Sequence, residues 1–245
     1  MAGHSKWANI KHRKGKADAA KGKIFTRVSK EIINAVKHGG ADPKNNPRLR
    51  IALQKARDAN VPNDNVERCI KKASSADQQE YHEMHYELYG YGGVGILAEV
   101  MTDNKNRISS DIRIATNKRG GTIAHPGSVS FNFDRKAVIY VPKPKAFEDD
   151  LFMLVSEAGA EDFTVEDEAY VIIADPTLLD TLKEAIHHAG IEGFDGEIEM
   201  IAKNYIECDA ENYKNNLALI EWLEGIEDVD QVFHNMKMEH GSDEG

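Results

Sequence analysis

Apolar positions in the first third of the chain recur with a helical period. Phe25, Val28, Ile32 and Val36 stand at i, i+3, i+7 and i+11, which places them on one face of a helix, while Lys23, Arg27, Lys30 and Lys37 occupy other faces. Gly39-Gly40 stop that helix. Pro47 suits a first helical position, and Leu49, Ala52, Leu53, Ala56 and Ala59 make the apolar stripe of a second helix. Pro62 and Asn63 open a third, with Val66, Cys69, Ile70 and Ala73 inward and Arg68, Lys71 and Lys72 outward. Residues 1–21, with Gly3 and Gly15 inside and Gly22 just beyond, hold no sustained apolar period and read as an extended or weakly ordered arm.

After Ser74-Ser75 the period changes. YHEMHYELYGYGGVGILAEVMTDN predicts two strands around a Gly-rich turn. KNRISSDIRIATNKRGG predicts a helix from about Asn106 with Ile108, Ile112 and Ala115 on one face, and SVSFNFD predicts a strand of alternating Val129, Phe131 and Phe133. From Ala137 to Met200 the order is strand AVIYV, helix FEDDLFMLVSEAG, strand DFTVE, strand AYVIIA, helix PTLLDTLKEAIHHAG and strand GEIEMI. That β-α-β-β-α-β order is ferredoxin-like. A short strand at NYIEC, a helix over about 210–225 and a last strand DVDQVFHNMKM follow. The predicted fold is multidomain, α and α+β: a basic arm and three-helix domain over 1–75, an α+β domain over 76–135 plus 203–240, a ferredoxin-like domain over 137–200 inserted into it, and an acidic tail at 241–245.

Charge changes this picture once it is divided along the chain. The whole carries formal net charge -10, yet residues 1–75 hold 18 Lys+Arg against 6 Asp+Glu, a net of +12, and residues 76–245 hold 13 against 35, a net of -22. A basic module joined to an acidic body points to a polyanion partner. No stretch approaches the roughly 18 apolar residues of a membrane helix, and no apolar h-region follows the basic N-terminus, so a cytoplasmic location with no membrane partner is expected. Cys69 and Cys208 lie 139 positions apart with no CxxC, which suggests small buried residues rather than a disulfide or a zinc site.

The chemistry these patterns allow is binding. In the arm, Lys6, Lys11, Arg13, Lys14 and Lys16, continued by Lys21, Lys23 and Arg27, suit phosphate neutralisation with release of counterions. His12 adds hydrogen-bond donors, and Arg48 and Arg50 extend the cationic set into the second helix. Trp7 suits stacking on an exposed base, or equally a plug that pins the arm to the helices. Asn104, Lys105, Asn106 and Arg107, at a strand-to-helix junction, form a second candidate surface, for which N-capping and solvated charge are the plain alternative. GYGGVG formally matches G-x-G-x-x-G, but ILAEV continues it as strand rather than helix, so it reads as a hairpin turn. His82-Glu83-Met84-His85 lacks one residue of H-E-x-x-H, and His187-His188 reads as a helix end. No catalytic constellation, metal site, cofactor or small-molecule substrate is expected.

Longer blocks carry a family likeness. MAGHSKWANIKHRKGKADAAKGKIF, PRLRIALQKARDANVPNDNVERCIKKA, GYGGVGILAEVMTDNKNR and PGSVSFNF, in that order, closely resemble the YebC family, and the likeness extends over essentially the whole chain. The resemblance implies a three-domain cytoplasmic protein without catalytic residues. It implies a nucleic-acid-binding regulator of gene expression, most directly a DNA-binding transcriptional regulator. The alternative it carries is a ribosome-associated translation factor that binds ribosomal RNA and aids synthesis of difficult, proline-rich sequences.

Overall fold

The computed structural model describes residues 17–75, 80–166 and 168–238, with the backbone alone described for 17–21, 144 and 238. The predicted arm up to residue 16 and the acidic tail lie outside these.

Three helices open the fold: α1 (Ala17–Gly39), α2 (Pro47–Asp58) and α3 (Asn63–Ala73). The first begins earlier than its apolar period announces, because Ala17, Ala19, Ala20 and Lys21 favour helix without marking a face. Val28, Ile32 and Val36 pack with Leu49, Ala52, Ala56 and Ala73 in one cluster, against which Phe25, Val66, Cys69 and Ile70 lean. Asn46 joins two of these helices. Its Oδ1 accepts the Leu49 amide at 3.1 Å as the cap of α2, while its Nδ2 donates to the carbonyls of Ala35 at 2.7 Å and Gly40 at 2.8 Å. The close approach leaves no room for a side chain at Gly39, and Gly40 takes the left-handed φ of 81° that ends α1.

The body begins with β1 (His82–Tyr89) and β2 (Gly95–Thr102), an antiparallel pair whose register runs from His82 opposite Thr102 to Tyr89 opposite Gly95. The Gly-rich link between them is a single tight turn at Tyr91–Gly93 that leads straight into strand, as expected, and Asn216 holds it through the Tyr91 amide and carbonyl. Next come α4 (Lys105–Arg119), the two-residue β3 (Thr122–Ile123) and β4 (Phe133–Pro142). Here the structure departs from the pattern, for SVSFNFD is not a strand. Ser130–Asn132 form a 3-10 turn, so Val129 and Phe133 turn inward while Phe131 is 70% exposed, and β4 runs unbroken from Phe133.

β4 then leads through α5 (Glu148–Glu157), β5 (Asp162–Val165), β6 (Ala169–Ala174), α6 (Leu179–His188) and β7 (Asp195–Ala202). The sheet order is β5-β6-β4-β7, antiparallel throughout, the ferredoxin-like arrangement, with Leu151, Val155, Leu182 and Ile186 of the two helices packed on one face. The chain returns through β8 (Ile206–Cys208), α7 (Ala210–Gly225), β9 (Val229–His234) and β10 (Met236–Met238). The predicted last strand is two strands. Asn235 separates β9, antiparallel to β2, from β10, parallel to β8, and its Oδ1 accepts the Gly95 amide at 2.7 Å.

The sheet β3-β1-β2-β9 packs α4 and α7 on one face through Ile96, Ala98, Ile108, Ile112, Leu219 and Leu223. On the other face, Leu97 and Phe233 meet Val129, Phe133 and Ala202, which joins it to the start of β4 and the end of β7. Successive side chains of β2 thus serve different cores, as strand alternation requires.

Candidate nucleic-acid interface

Three cations of α1 share one side of the helix. Lys23, Arg27, Lys30 and Asn34 are spaced i, i+4, i+7 and i+11, a second stripe opposite the apolar one. The structure lays that stripe against the body. Lys30 is buried, with its ammonium 2.9 Å from the Met101 carbonyl oxygen, 3.3 Å from that of Glu227 and 3.1 Å from Asp228 Oδ1. Lys23 Nζ lies 3.4 Å from the carbonyl oxygens of both Ile226 and Val229. It borders a cavity of about 210 Å³ lined by Gly22, Thr26, Glu227, Val229 and Asp230. Arg27 donates to Glu31 at 3.3 Å. Burial opposes its charge, but Glu31, Glu197, Asp230 and Glu99 overcome that and raise its pKa.

Two acids at the start of β9 receive this stripe. Asp228 is 3% exposed and accepts from Lys30, from Thr102 Oγ1 at 2.9 Å and from Arg107, whose Nε and Nη2 lie 3.0 and 2.5 Å from Oδ2. Burial pushes its carboxyl up, yet the hydrogen bonds from Arg107, Thr102 and Lys30 outweigh burial and hold it below the ordinary value. Asp230 is the extra residue of a β-bulge, since Glu99 pairs with Gln231 and Val100 with Val229. A bulge re-aims a side chain, and this one faces the α1 cations. Burial raises Asp230 to about 6, against the pull of Arg27 and Lys30 and with the push of Glu31 and Glu99.

The second candidate surface meets the first at Asp228. Asn104 caps α4, its Oδ1 accepting the amides of Asn106 at 3.1 Å and Arg107 at 3.0 Å, while Lys105 and Asn106 are exposed. Arg107 also binds Asp103 at 2.7 Å, and its hydrogen bonds to Asp228 and Asp103 raise its pKa despite partial burial. Lys30 and Arg107 therefore grip one buried carboxylate from two elements. Lys30 and Asp228 had no signal of their own in the sequence, because a cation opposite an apolar stripe looks the same whether water or an acid faces it.

The remaining predicted residues differ. Lys6, Trp7, Lys11, His12, Arg13, Lys14 and Lys16 lie outside the described residues, and of Lys21 only the backbone is described. Arg48 and Arg50 are exposed in the first turn of α2, and Arg50 donates to the carbonyls of Pro43 at 2.9 Å and Lys44 at 3.1 Å. Arg68, Lys71 and Lys72 are exposed on α3, spaced i, i+3, i+4, so they share a face. The link between α2 and α3 turns at Asn60, whose φ is 55°.

Comparison with known proteins covers the chain almost end to end. A model of the TACO1/YebC N-terminal domain matches residues 5–76, and a model of the TACO1/YebC second and third domain matches residues 81–236. Over 238 residues the chain is 67% identical to a "Probable transcriptional regulatory protein" of Protochlamydia amoebophila, covering 97% of each. It is 56% identical over 237 residues to a protein of the same description from Chlamydia muridarum, covering 96% of this chain and all of the relative. The crystal structure of a conserved hypothetical protein from Aquifex aeolicus matches with a TM-score of 0.82 at 35% identity, covering 98% of this chain and 100% of that one.

Proposed function

The chain belongs to the TACO1/YebC family, and on that premise we propose that it is a non-enzymatic, nucleic-acid-binding regulator of gene expression, most directly a DNA-binding transcriptional regulator of the cytoplasm. The names of its relatives support the regulator role. The observation that carries the nucleic-acid reading is a division among the cations of the helical domain. Lys23, Arg27 and Lys30 of α1 are engaged by the acidic body, whereas Arg48, Arg50, Arg68, Lys71 and Lys72 of α2 and α3 are exposed, continuing the charge of the basic arm. An exposed set of this kind binds phosphates with little reading of base sequence. The α2–α3 pair, joined over four residues, offers a helix-turn-helix-like presentation to duplex.

In this proposal residues 1–75 are the binding module. Residues 76–135 with 203–240, and the inserted 137–200, are the body, whose net negative charge turns most of its surface away from the polyanion and toward protein or ribosomal surfaces. The same cations suit ribosomal RNA, which is recognised mainly through shape and unstacked bases. Crosslinking the protein in cells and sequencing the recovered nucleic acid, with ribosome cosedimentation alongside, tests the choice. The regulator reading expects discrete promoter DNA; recovery of ribosomal RNA together with cosedimentation overturns it in favour of a translation factor.

A further inference from the structure

The acidic body contains an island of opposite sign. Residues 105–136 hold seven of the body's 13 Lys+Arg against two Asp+Glu, a net of +5 within a body of -22. Arg107, at one end of the island, is engaged by Asp228 and Asp103. Lys136, at the other end, pairs with Glu161, and between the two ends Lys118 and Arg119 are exposed in the last turn of α4.

From Arg119 a line of contacts runs round the edge made by β3. The Arg119 guanidinium stands over the Trp222 ring at 5.1 Å. Gly120, with φ 78°, passes so close under Tyr91 that a Cβ there has no room. β3 pairs with Leu88 and Tyr89, and the Tyr89 hydroxyl donates to the Ser128 carbonyl at 2.8 Å. Three residues further on is Phe131, whose carbonyl accepts from Lys203 Nζ at 3.0 Å.

Two observations separate this strip from an ordinary surface. The described residues leave six Phe, Tyr and Trp rings exposed, and four of them, Tyr89, Tyr91, Phe131 and Trp222, are here. The other two, Phe147 and Phe152, stand beside the exposed carboxylates Glu148, Asp149 and Asp150, where a polyanion is repelled. Second, the loop that presents Phe131 is fixed in advance. The buried carboxylate of Glu87 accepts backbone N–H groups from Gly127 at 2.7 Å, Val129 at 2.6 Å and Ser130 at 2.9 Å. These hydrogen bonds hold the Glu87 pKa below its ordinary value although burial pushes the other way. An aromatic ring held out on a rigid loop, next to cations, loses little entropy when a base stacks on it.

We propose that this strip is a second nucleic-acid contact, which takes unpaired bases of a single strand on Phe131, Tyr91 and Trp222 and the flanking phosphates on Lys118 and Arg119. Glu221 and Glu224 flank Trp222 on α7, so the phosphates lie toward α4. The proposal rests on the nucleic-acid reading above but concerns a different surface, and it assigns the single-stranded part of the target to the body.

Fluorescence anisotropy of the full-length protein with labelled U12, dT12 and a 12-base-pair duplex, over a salt series, tests it. Phe131→Ala, at a position already exposed, is expected to weaken single-strand binding about 5- to 150-fold while leaving Tm and the duplex affinity unchanged. Lys118→Ala with Arg119→Ala is expected to reduce the slope of log affinity against log salt by about 1.4 for the single strands. Tighter binding of U12 than of dT12 assigns RNA as the source of the strand, and the reverse assigns opened DNA. If wild type binds the single strands and both variants match it in affinity and slope, the strip is not a contact and the wider function stands. If wild type binds none of the three probes at low salt, the wider function falls and this inference with it.

Discussion

Two groups of cations in the helical domain have similar composition and opposite surroundings. On α1, Lys23, Arg27 and Lys30 lie against the start of β9 and the end of β2, with an ammonium buried on Asp228 and a guanidinium among four carboxylates. On α2 and α3, Arg48, Arg68, Lys71 and Lys72 point to solvent. The difference comes from what each helix touches besides its own core. α1 is covered on two sides, by the helical core and by the acidic body, and its second stripe finds complementary charge there. Among the described residues, the exposed cations of α2 and α3 meet no carboxylate of the body, and only Asp58 at the end of α2 reaches it, through Lys183. A basic count of +12 therefore overstates what is offered to a polyanion, because part of it holds the module to the body.

The strongest way to break this comparison is at Asp228. Asp228→Ala leaves the Lys30 ammonium buried with two carbonyls and the Tyr81 ring but no carboxylate, and breaking a buried pair in this way costs about 3–5 kcal/mol of stability, measurable by urea denaturation. Removing Arg68, Lys71 or Lys72 singly should change stability by no more than about 0.5 kcal/mol. Comparable effects from the two sets would erase the distinction. Glu87 sharpens it from within the body, as a buried carboxylate satisfied by backbone amides instead of cations. Glu87→Ala orphans three N–H groups and should cost about 2 kcal/mol, with faster hydrogen exchange at Gly127, Val129 and Ser130 and no change at Lys30.

A smaller effect than those at Asp228 and Glu87 depends on pH. Asp230 has a folded pKa of about 6 against about 3.9 in an unfolded chain, so the native state binds the extra proton between those values. Its contribution is fully present below pH 4 and is lost as pH rises through about 6. Asp230→Asn should remove that slope. The variant should then gain about 1 kcal/mol on wild type between pH 4 and pH 7, after allowance for solvent screening of a half-exposed group. A wild-type profile that rises over this interval and is flattened by the substitution would show that the α1 cations dominate Asp230.

Much of this architecture was legible from periodicity. The three-helix stripe and the β-α-β-β-α-β order depend on local alternation, and both agree with the structure. The failures fall where local pattern and tertiary demand separate. Val129, Phe131 and Phe133 alternate like a strand, but Val129 and Phe133 are drawn into the cluster that joins the two sheets, and the 3-10 turn between them turns Phe131 out. DVDQVFHNMKM reads as one strand because nothing local announces that Asn235 caps a turn toward a different partner. At the candidate site the cations were legible and their partners were not. Asp228 and Asp230 lie some 200 positions from α1, and the bulge that aims Asp230 has no signature of its own in the sequence.

The salt dependence of nucleic-acid affinity tests the central claim most directly, because each phosphate-bound cation contributes to its slope and a cation held by the body does not. For a duplex probe, Lys71→Ala with Lys72→Ala should reduce the slope of log affinity against log salt by about 1.8, at 0.9 for each contact. Lys23→Ala should leave that slope unchanged. A slope that falls in the Lys23 variant and holds in the Lys71 and Lys72 variant would contradict the account, for it would mean that the α1 stripe leaves the body and meets the nucleic acid.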